Sequence, residues 1–140
     1  MIQRIGVAAL ILAIGACASS EPQRSDDPFD MSGGRYIGAS LDRALAEAAK
    51  HKLGTEKNPV RAEMPPGQRA YLNRLRCSNG VAPKYERAGN LGAGAFGSIV
   101  DAYVLRCEGG APAESTVIMD MYFPGYVETK PVDGFTIVAP

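Results

Sequence analysis

The chain has 140 residues, with 15 Lys and Arg against 15 Asp and Glu, and 46% of its residues are hydrophobic. A formal net charge of zero removes the electrostatic argument for nucleic-acid binding, because a protein that neutralises phosphates carries a basic excess or a basic stripe. The hydrophobic content is too high for a wholly disordered chain and allows one small globular domain.

The first sixteen residues are typical of an export signal. One charged residue, Arg4, precedes an unbroken small and apolar run from Ile5 to Ala16. As a helix this run covers about 18 Å, which is well short of the roughly 30 Å hydrocarbon core of a bilayer. We therefore predict that residues 1–16 form a signal peptide and not a transmembrane anchor.

The residues that end this run indicate the type of signal. Ile14, Gly15, Ala16 and Cys17 resemble the lipobox of bacterial lipoproteins, in which small residues let an extended chain enter a peptidase and a cysteine thiol accepts the lipid. The resemblance implies cleavage before Cys17 and its acylation, and Ala18 resembles the outer-membrane sorting pattern. It predicts a protein anchored by its N-terminal lipid to the periplasmic face of the outer membrane. The alternative is an ordinary buried cysteine.

Residues 17–35 are predicted to form a flexible tether. They are rich in Ser, Asp, Pro and Gly, so they bury too little apolar surface to offset the entropy of ordering. Asp26, Asp27 and Asp30 suggest a calcium loop, but the alternating ligands and central Gly of an EF-hand are missing, which favours a solvated acidic linker. Residues 36–140 are then predicted to form the single domain.

Two helices are expected early in this domain. Ser40 is predicted to cap a helix over residues 41–53, with basic residues in its last turn and Gly54 as its stop. His51, the only histidine, lies in that last turn, and we interpret it as a solvated cation and not as a catalytic group.

The segment after this helix is more ambiguous. Residues 55–68 are predicted to form a loop around a short extended piece at 60–62. Residues 67–77 fit a helix or a strand, and the helix is favoured because Pro-Pro-Gly-Gln is a good helix start and Ser-Asn-Gly a good end.

Beyond Gly80 the frequency of Gly, Tyr, Val and Ile predicts β-structure. The expected strands, the first of them at an edge, are 81–88, 98–107, 115–123 and 134–138. The two central strands are apolar on both faces, so we expect both faces to be buried. The predicted fold class is α+β, a small antiparallel sheet with one or two helices packed on one face.

With Cys17 assigned to a lipid, the remaining cysteines are Cys77 and Cys107. We predict that they form a disulfide, as exported pairs commonly do. A redox or metal role requires a Cys-x-x-Cys pair or further His and Cys ligands, which the sequence does not have. We therefore expect no metal and no cofactor.

Gly92–Gly97 matches G-x-G-x-x-G and resembles the glycine-rich loop of protein kinases, including Phe96 before the third glycine. The resemblance implies nucleotide binding, in which backbone N–H groups approach phosphate oxygens. The other kinase motifs are missing, and Lys130 is the only lysine after residue 97. A dinucleotide site needs a helix next, whereas residues 98–107 predict a strand. We interpret the motif as a tight or bulged connection between strands.

Asp101 and Asp120 each interrupt an apolar strand, and a buried carboxylate needs a partner. A structural Asp–Arg bridge or a backbone-bonded aspartate is favoured over a catalytic pair. The candidate arginine partners are Arg74, Arg76, Arg87 and Arg106.

An aromatic and methionine cluster lies just beyond. Met119, Met121 and Phe123 are interpreted as core, with Tyr122 and residues 124–126 in a turn. The alternative is that this cluster lines a ligand surface.

The leading hypothesis is a lipid-anchored envelope protein that acts as a non-catalytic binding or interaction module, with the membrane and another envelope protein as partners and no nucleic acid. The alternative is a small envelope hydrolase that uses Asp101 or Asp120. A more distant alternative is a nucleotide binder that uses Gly92–Gly97.

Overall fold

The computed structural model describes residues 33–140, so the predicted signal peptide, Cys17 and the tether as far as residue 32 lie outside the described residues. Two helices and seven strands follow one another in this part of the chain. In chain order they are α1 (Gly38–Ala48), β1 (Val60–Glu63), α2 (Met64–Arg74), β2 (Leu75–Arg76), β3 (Lys84–Ala93), β4 (Ile99–Arg106), β5 (Glu114–Asp120), β6 (Tyr122–Val127) and β7 (Thr136–Ile137).

The predicted α+β class is confirmed. Five strands form one sheet in the order β3-β4-β5-β1-β6, and β2 pairs with β7 in a second, two-stranded sheet. The expectation of a purely antiparallel sheet is corrected at one pair, because β1 runs parallel to β5. This parallel pair requires a long crossover, which α2, β2, β3 and β4 supply. The expected extended piece at 60–62 is the strand β1.

Helix α2 packs on one face of the large sheet. Its Tyr71 and Leu72 join Leu105, Val117 and Met119 in the main core cluster. Because side chains alternate along a strand, the neighbouring residues of β4 and β5 point to the other face, where a smaller cluster is buried. Its members are Val100, Ala102 and Ile118. The prediction that the central strands are buried on both sides is thus confirmed over most of their length.

Helix α1 begins earlier than predicted, at Gly38. Ser40 therefore lies within the first turn and is not the cap: the N-cap position is Ile37, which makes no side-chain cap hydrogen bond. The Ser40 hydroxyl accepts a hydrogen bond of 3.2 Å from Arg43. The helix packs through Leu41, Ala44 and Leu45 against a separate cluster that includes Phe96 and Phe123.

Helix α1 also ends earlier than predicted, at Ala48. Beyond this end, backbone N–H groups donate to the carbonyl three residues earlier, as His51 does to Ala48 at 2.9 Å. Hydrogen bonds of this kind tighten and close the end of a helix. Gly54 adopts φ +83° in a separate turn, where its N–H donates to the Asn58 carbonyl at 2.8 Å. The predicted stop signal thus belongs to the loop and not to the helix.

The helical alternative for residues 67–77 is confirmed for most of that segment. Helix α2 starts at Met64 and holds both prolines in its first turn, where a missing N–H costs nothing. The strand alternative describes only Leu75 and Arg76, which pair with Ile137 and Thr136.

The predicted disulfide is confirmed. Cys77 and Cys107 are bonded, with their Cα atoms 5.9 Å apart. Cys77 follows β2 and Cys107 follows β4, so the bond ties the small sheet to a central strand of the large one.

Between residues 33 and 140, neither helix is long and apolar enough to cross a bilayer.

Candidate functional site

Asp101 is held in a structural ion pair. It is 5% exposed, and its Oδ1 accepts a hydrogen bond from the Arg87 guanidinium at 2.6 Å. Its Oδ2 accepts from the Gln68 amide at 3.3 Å, and the Gln68 carbonyl accepts from the Tyr103 hydroxyl at 2.9 Å. The predicted Asp–Arg bridge is therefore confirmed at this position, with Arg87 as the partner among the four candidates. A cavity of about 410 Å³ borders this network.

Asp120 is fully buried and is satisfied without an arginine bridge. Its Oδ2 accepts from the Ser98 hydroxyl and its Oδ1 from the Tyr122 N–H at 3.0 Å. Burial raises the pKa of Asp120, and the hydrogen bonds from Ser98 and Tyr122 oppose that increase. Because Ser98 is fully buried as well, this serine and aspartate are closed to any substrate.

The two aspartates point to opposite faces of the sheet. Across β4 and β5, Asp101 pairs with Met119 and Val100 pairs with Asp120. Directly opposed residues share a face and adjacent residues do not. A carboxylate dyad made of Asp101 and Asp120 is thus excluded by the register of these strands.

The glycine-rich segment connects β3 to β4, as predicted. The amides of its three glycines already have acceptors: the Gly92 N–H donates to the Asn90 side chain at 2.6 Å, the Gly94 N–H to the Ser98 carbonyl at 2.7 Å and the Gly97 N–H to the Gly94 carbonyl at 3.0 Å. A Cβ added to Gly94 would clash with the Val100 side chain, so this glycine permits close packing on β4. The glycine amides of the motif are thus used within the connection.

The structure places His51 outside the helix, three residues beyond its end. Its side chain is 33% exposed, and its Nε2 lies 3.8 Å from the Glu47 carboxylate. Across the described range 33–140, no group of three or more His, Cys, Asp or Glu side chains is placed to hold a metal ion.

A groove lies between helix α2 and strands β1 and β6, and we call it the α2–β6 groove. Its volume is about 710 Å³, within the range of ligand pockets in proteins. Small or apolar side chains form most of its surface. They are Ala62, Met64, Pro66, Gly67, Ala70 and Val127.

One wall of the groove carries a chain of hydrogen bonds. The Arg61 guanidinium donates to the Tyr126 hydroxyl at 2.6 Å, and that hydroxyl donates to Glu128 Oε2 at 3.1 Å. Arg61 also lies over the Tyr126 ring, 4.0 Å from its centroid. Burial raises the pKa of Tyr126, so the phenol stays protonated near neutral pH and remains able to donate.

The second cation of the groove is Arg74, in the last turn of α2. It donates to the Glu128 carbonyl at 2.6 Å and to the Val138 carbonyl at 3.4 Å. Of the carboxylates between residues 33 and 140, none lies within 4.0 Å of the nitrogens of Arg61 or Arg74. Both guanidiniums are therefore held by neutral oxygens beside an apolar surface, and the Glu128 carboxylate reaches Arg61 through the Tyr126 hydroxyl and not by a direct ion pair.

Met64, at the junction of β1 and α2, has an unusual backbone conformation. Its φ is +53° although it is not a glycine, and its N–H donates to the Met121 carbonyl at 2.8 Å. Such a conformation costs of order 1–3 kcal/mol and is enriched at ligand sites. Here it reverses the chain within one residue, which brings α2 back over β1 and forms the groove.

The sequence pattern indicates this site only in part. It allows the cluster around Tyr126 to line a ligand surface but favours a core and a turn. Met119 and Phe123 are buried as expected, whereas Met121 is only half-buried. Tyr122 and residues 124–126 lie in strand β6, whose pairing with β1 skips four residues around Gly125, so a turn-like bulge exists within the strand.

Arg61 and Glu128 have no signal in the sequence, because they lie in separate segments without a shared motif. Arg74 is predicted only as a candidate partner of the aspartates and lies instead in the groove.

Comparisons of the chain with protein families, curated proteins and solved structures found no match.

Proposed function

We propose that the chain is a lipid-anchored envelope protein whose domain is a non-catalytic binding module, with the α2–β6 groove as its binding site. The observation that carries the proposal is this groove of about 710 Å³, which combines an apolar surface with two guanidiniums that form no direct ion pair with a described carboxylate. Apolar recesses with a few convergent polar groups are the usual form of a ligand site.

The anchoring part of the proposal rests on the sequence. Residues 14–17 resemble a lipobox, and Ala18 resembles the signal for the outer membrane, which places the domain on the periplasmic face. The Cys77–Cys107 disulfide supports an oxidising compartment, because such bonds persist in the periplasm and are rare in the cytosol.

The hydrolase alternative has less support. Asp101 is neutralised by Arg87, while Asp120 is buried with Ser98, so each carboxylate has a structural role. The cavity beside Asp101 is the feature that favours it, and hydrolysis there would require Asp101 to leave its ion pair.

The test is crosslinking of the full chain in intact envelopes, followed by its purification and identification of the bound components. A Trp at the exposed groove position Ala70 would fill the groove, so we expect Ala70→Trp to lose any component that binds there. Ala46→Trp is the matched control, because Ala46 is an exposed alanine on the other helix, α1. The proposal is contradicted if the wild type, Ala70→Trp and Ala46→Trp chains capture the same component equally. It is also contradicted if the full chain captures no component beyond those that a tether-only chain captures.

A further inference from the structure

We infer that the α2–β6 groove binds a single-chain amphiphile with an anionic head group, which places its apolar chain along the groove and its head group against Arg61 and Arg74. The inference rests on the proposed function, since it names the ligand class of the same groove.

The shape of the groove fits an apolar chain. Ala62, Gly67 and Ala70 contribute little side-chain volume, which leaves the space between α2 and the sheet edge open. At the rim Val127 is 57% exposed, and large exposed apolar side chains beside a recess mark binding surfaces. Below it, the Tyr71 ring is 2% exposed and its hydroxyl is occupied by the Lys130 carbonyl at 3.0 Å. This part of the groove therefore presents no unsatisfied polar group to an apolar chain.

The charges of the groove favour an anionic head group. A guanidinium has five N–H donors, and Arg61 uses one nitrogen and Arg74 two in hydrogen bonds to neutral oxygens. The rest are available to a carboxylate or phosphate, the groups that arginine binds best. Glu63 is exposed at the edge of the groove.

The buried carboxylate of the groove forms no direct ion pair with either arginine. Glu128 is 6% exposed. Its oxygens accept from the Tyr126 hydroxyl and from the N–H groups of Thr129 and Lys130. These bonds hold the carboxylate against its own backbone, which leaves the arginines as the groups available to a ligand.

A peptide strand is a poorer occupant of the groove. Pairing of a peptide with a sheet edge depends on free main-chain donors. In β6, Pro124 has no N–H, and just beyond the strand the amides of Thr129 and Lys130 donate to Glu128. These three positions interrupt the regular run of donors that strand addition needs.

The test uses the full chain reconstituted in phosphatidylcholine vesicles. Photoreactive probes share one apolar chain with a diazirine near its end and differ only in the head group, which is carboxylate, phosphate, quaternary ammonium or hydroxyl. Mass spectrometry then locates the labelled peptides. We expect the anionic probes to label residues 62–74 and 126–128, with the ammonium and hydroxyl probes about tenfold weaker, as the loss of a charged hydrogen bond predicts. The two anionic probes distinguish a fatty acid from a lipid phosphate as the source.

Variants separate groove binding from adventitious labelling. We expect Ala70→Trp to abolish labelling of these residues and Ala46→Trp to leave it unchanged. Arg61→Gln and Arg74→Gln should bring the carboxylate probe down to the level of the hydroxyl probe. Should Arg74→Gln not fold, Arg61→Gln and Ala70→Trp still decide the result.

The inference is overturned if the head groups label the groove equally, if Ala70→Trp does not change the labelling, or if the groove is not labelled. If capture of an envelope component depends on Ala70 while no probe labels the groove, the binding module stands and the ligand class is wrong. If both results are negative, the proposed function fails as well.

Discussion

At the scale of single residues, the buried carboxyl group of Asp120 makes the stability of the domain depend on pH. Asp120 is fully buried in the large sheet, and burial raises its pKa above the ordinary value of 3.8. A carboxyl group whose pKa is raised by folding binds its proton more tightly in the folded state. Its contribution to stability is therefore complete below pH 3.8 and is lost as the pH rises through the folded-state pKa.

Asp120→Asn is expected to remove this dependence. An asparagine oxygen can still accept from the Tyr122 N–H, and its amide can donate to the Ser98 hydroxyl, so the hydrogen bonds are kept without a titrating group. The measurement is the free energy of unfolding of both proteins from about pH 4 to pH 8. This range covers the titration of a carboxyl group whose pKa is raised above its ordinary value. We expect the wild type to gain stability relative to Asp120→Asn as the pH falls, and a constant difference would contradict the assignment.

At the scale of elements, the disulfide connects the turn after β2 to the end of β4, close to the hydrogen bond of 2.9 Å between the Ser78 N–H and the Ala111 carbonyl. Strands β2 and β7 contribute two residues each to the small sheet, and a two-stranded sheet has little stability of its own. Cys77 lies directly after β2, and its N–H donates to the Val81 carbonyl at 2.8 Å. The bond to Cys107 therefore fixes the turn beyond β2 to the end of a buried strand.

Replacing both cysteines, Cys77→Ala with Cys107→Ala, is expected to lower the free energy of unfolding by about 3–4 kcal/mol, because the bond closes a loop with a sequence separation of 30. Denaturant titration measures the loss. The wild type in reductant is the control and should match the double variant. A loss below about 1 kcal/mol would show that the reduced chain already holds this turn in place.

Patterns within an element were enough to predict its type, but not its ends. The strand at 98–107 was predictable because apolar residues on both faces indicate a central position. The strand expected at 115–123 is correct only as far as Asp120, because Tyr122 and Phe123 begin β6, which lies on the other side of β1. Ser40 misled the prediction of α1, because a good cap residue also fits inside a helix when an arginine one turn later reaches its hydroxyl. The start of α2 at Met64 was not predictable, because a positive φ at a methionine is imposed by tertiary structure.

The candidate site was less predictable than the fold for a physical reason. Arg61 comes from β1, Arg74 from α2, and Tyr126 with Glu128 from the region of β6. The parallel pairing of β1 with β5, next to β6, brings them together. No spacing in the chain indicates that pairing. The disulfide, in contrast, is predictable from the number of cysteines, because Cys77 and Cys107 are the two that remain when Cys17 is assigned to the lipid.

At the scale of the whole molecule, we propose an N-terminus anchored by a lipid and a domain that binds its ligand in the α2–β6 groove. The anchor would hold the groove near a lipid leaflet, because acyl chains on a protein give stable membrane attachment when two or more are present. The claim on which the rest depends is that Cys17 is the acylated first residue of the mature protein.

Intact-mass and peptide mass spectrometry of the protein isolated from envelopes tests that claim most directly. The account predicts a mature chain that begins at Cys17 and carries acyl groups on that residue, and a Cys17→Ser chain that keeps residues 1–16 and gains no lipid. An unacylated chain that still begins at Met1 and fractionates away from the envelope would contradict it.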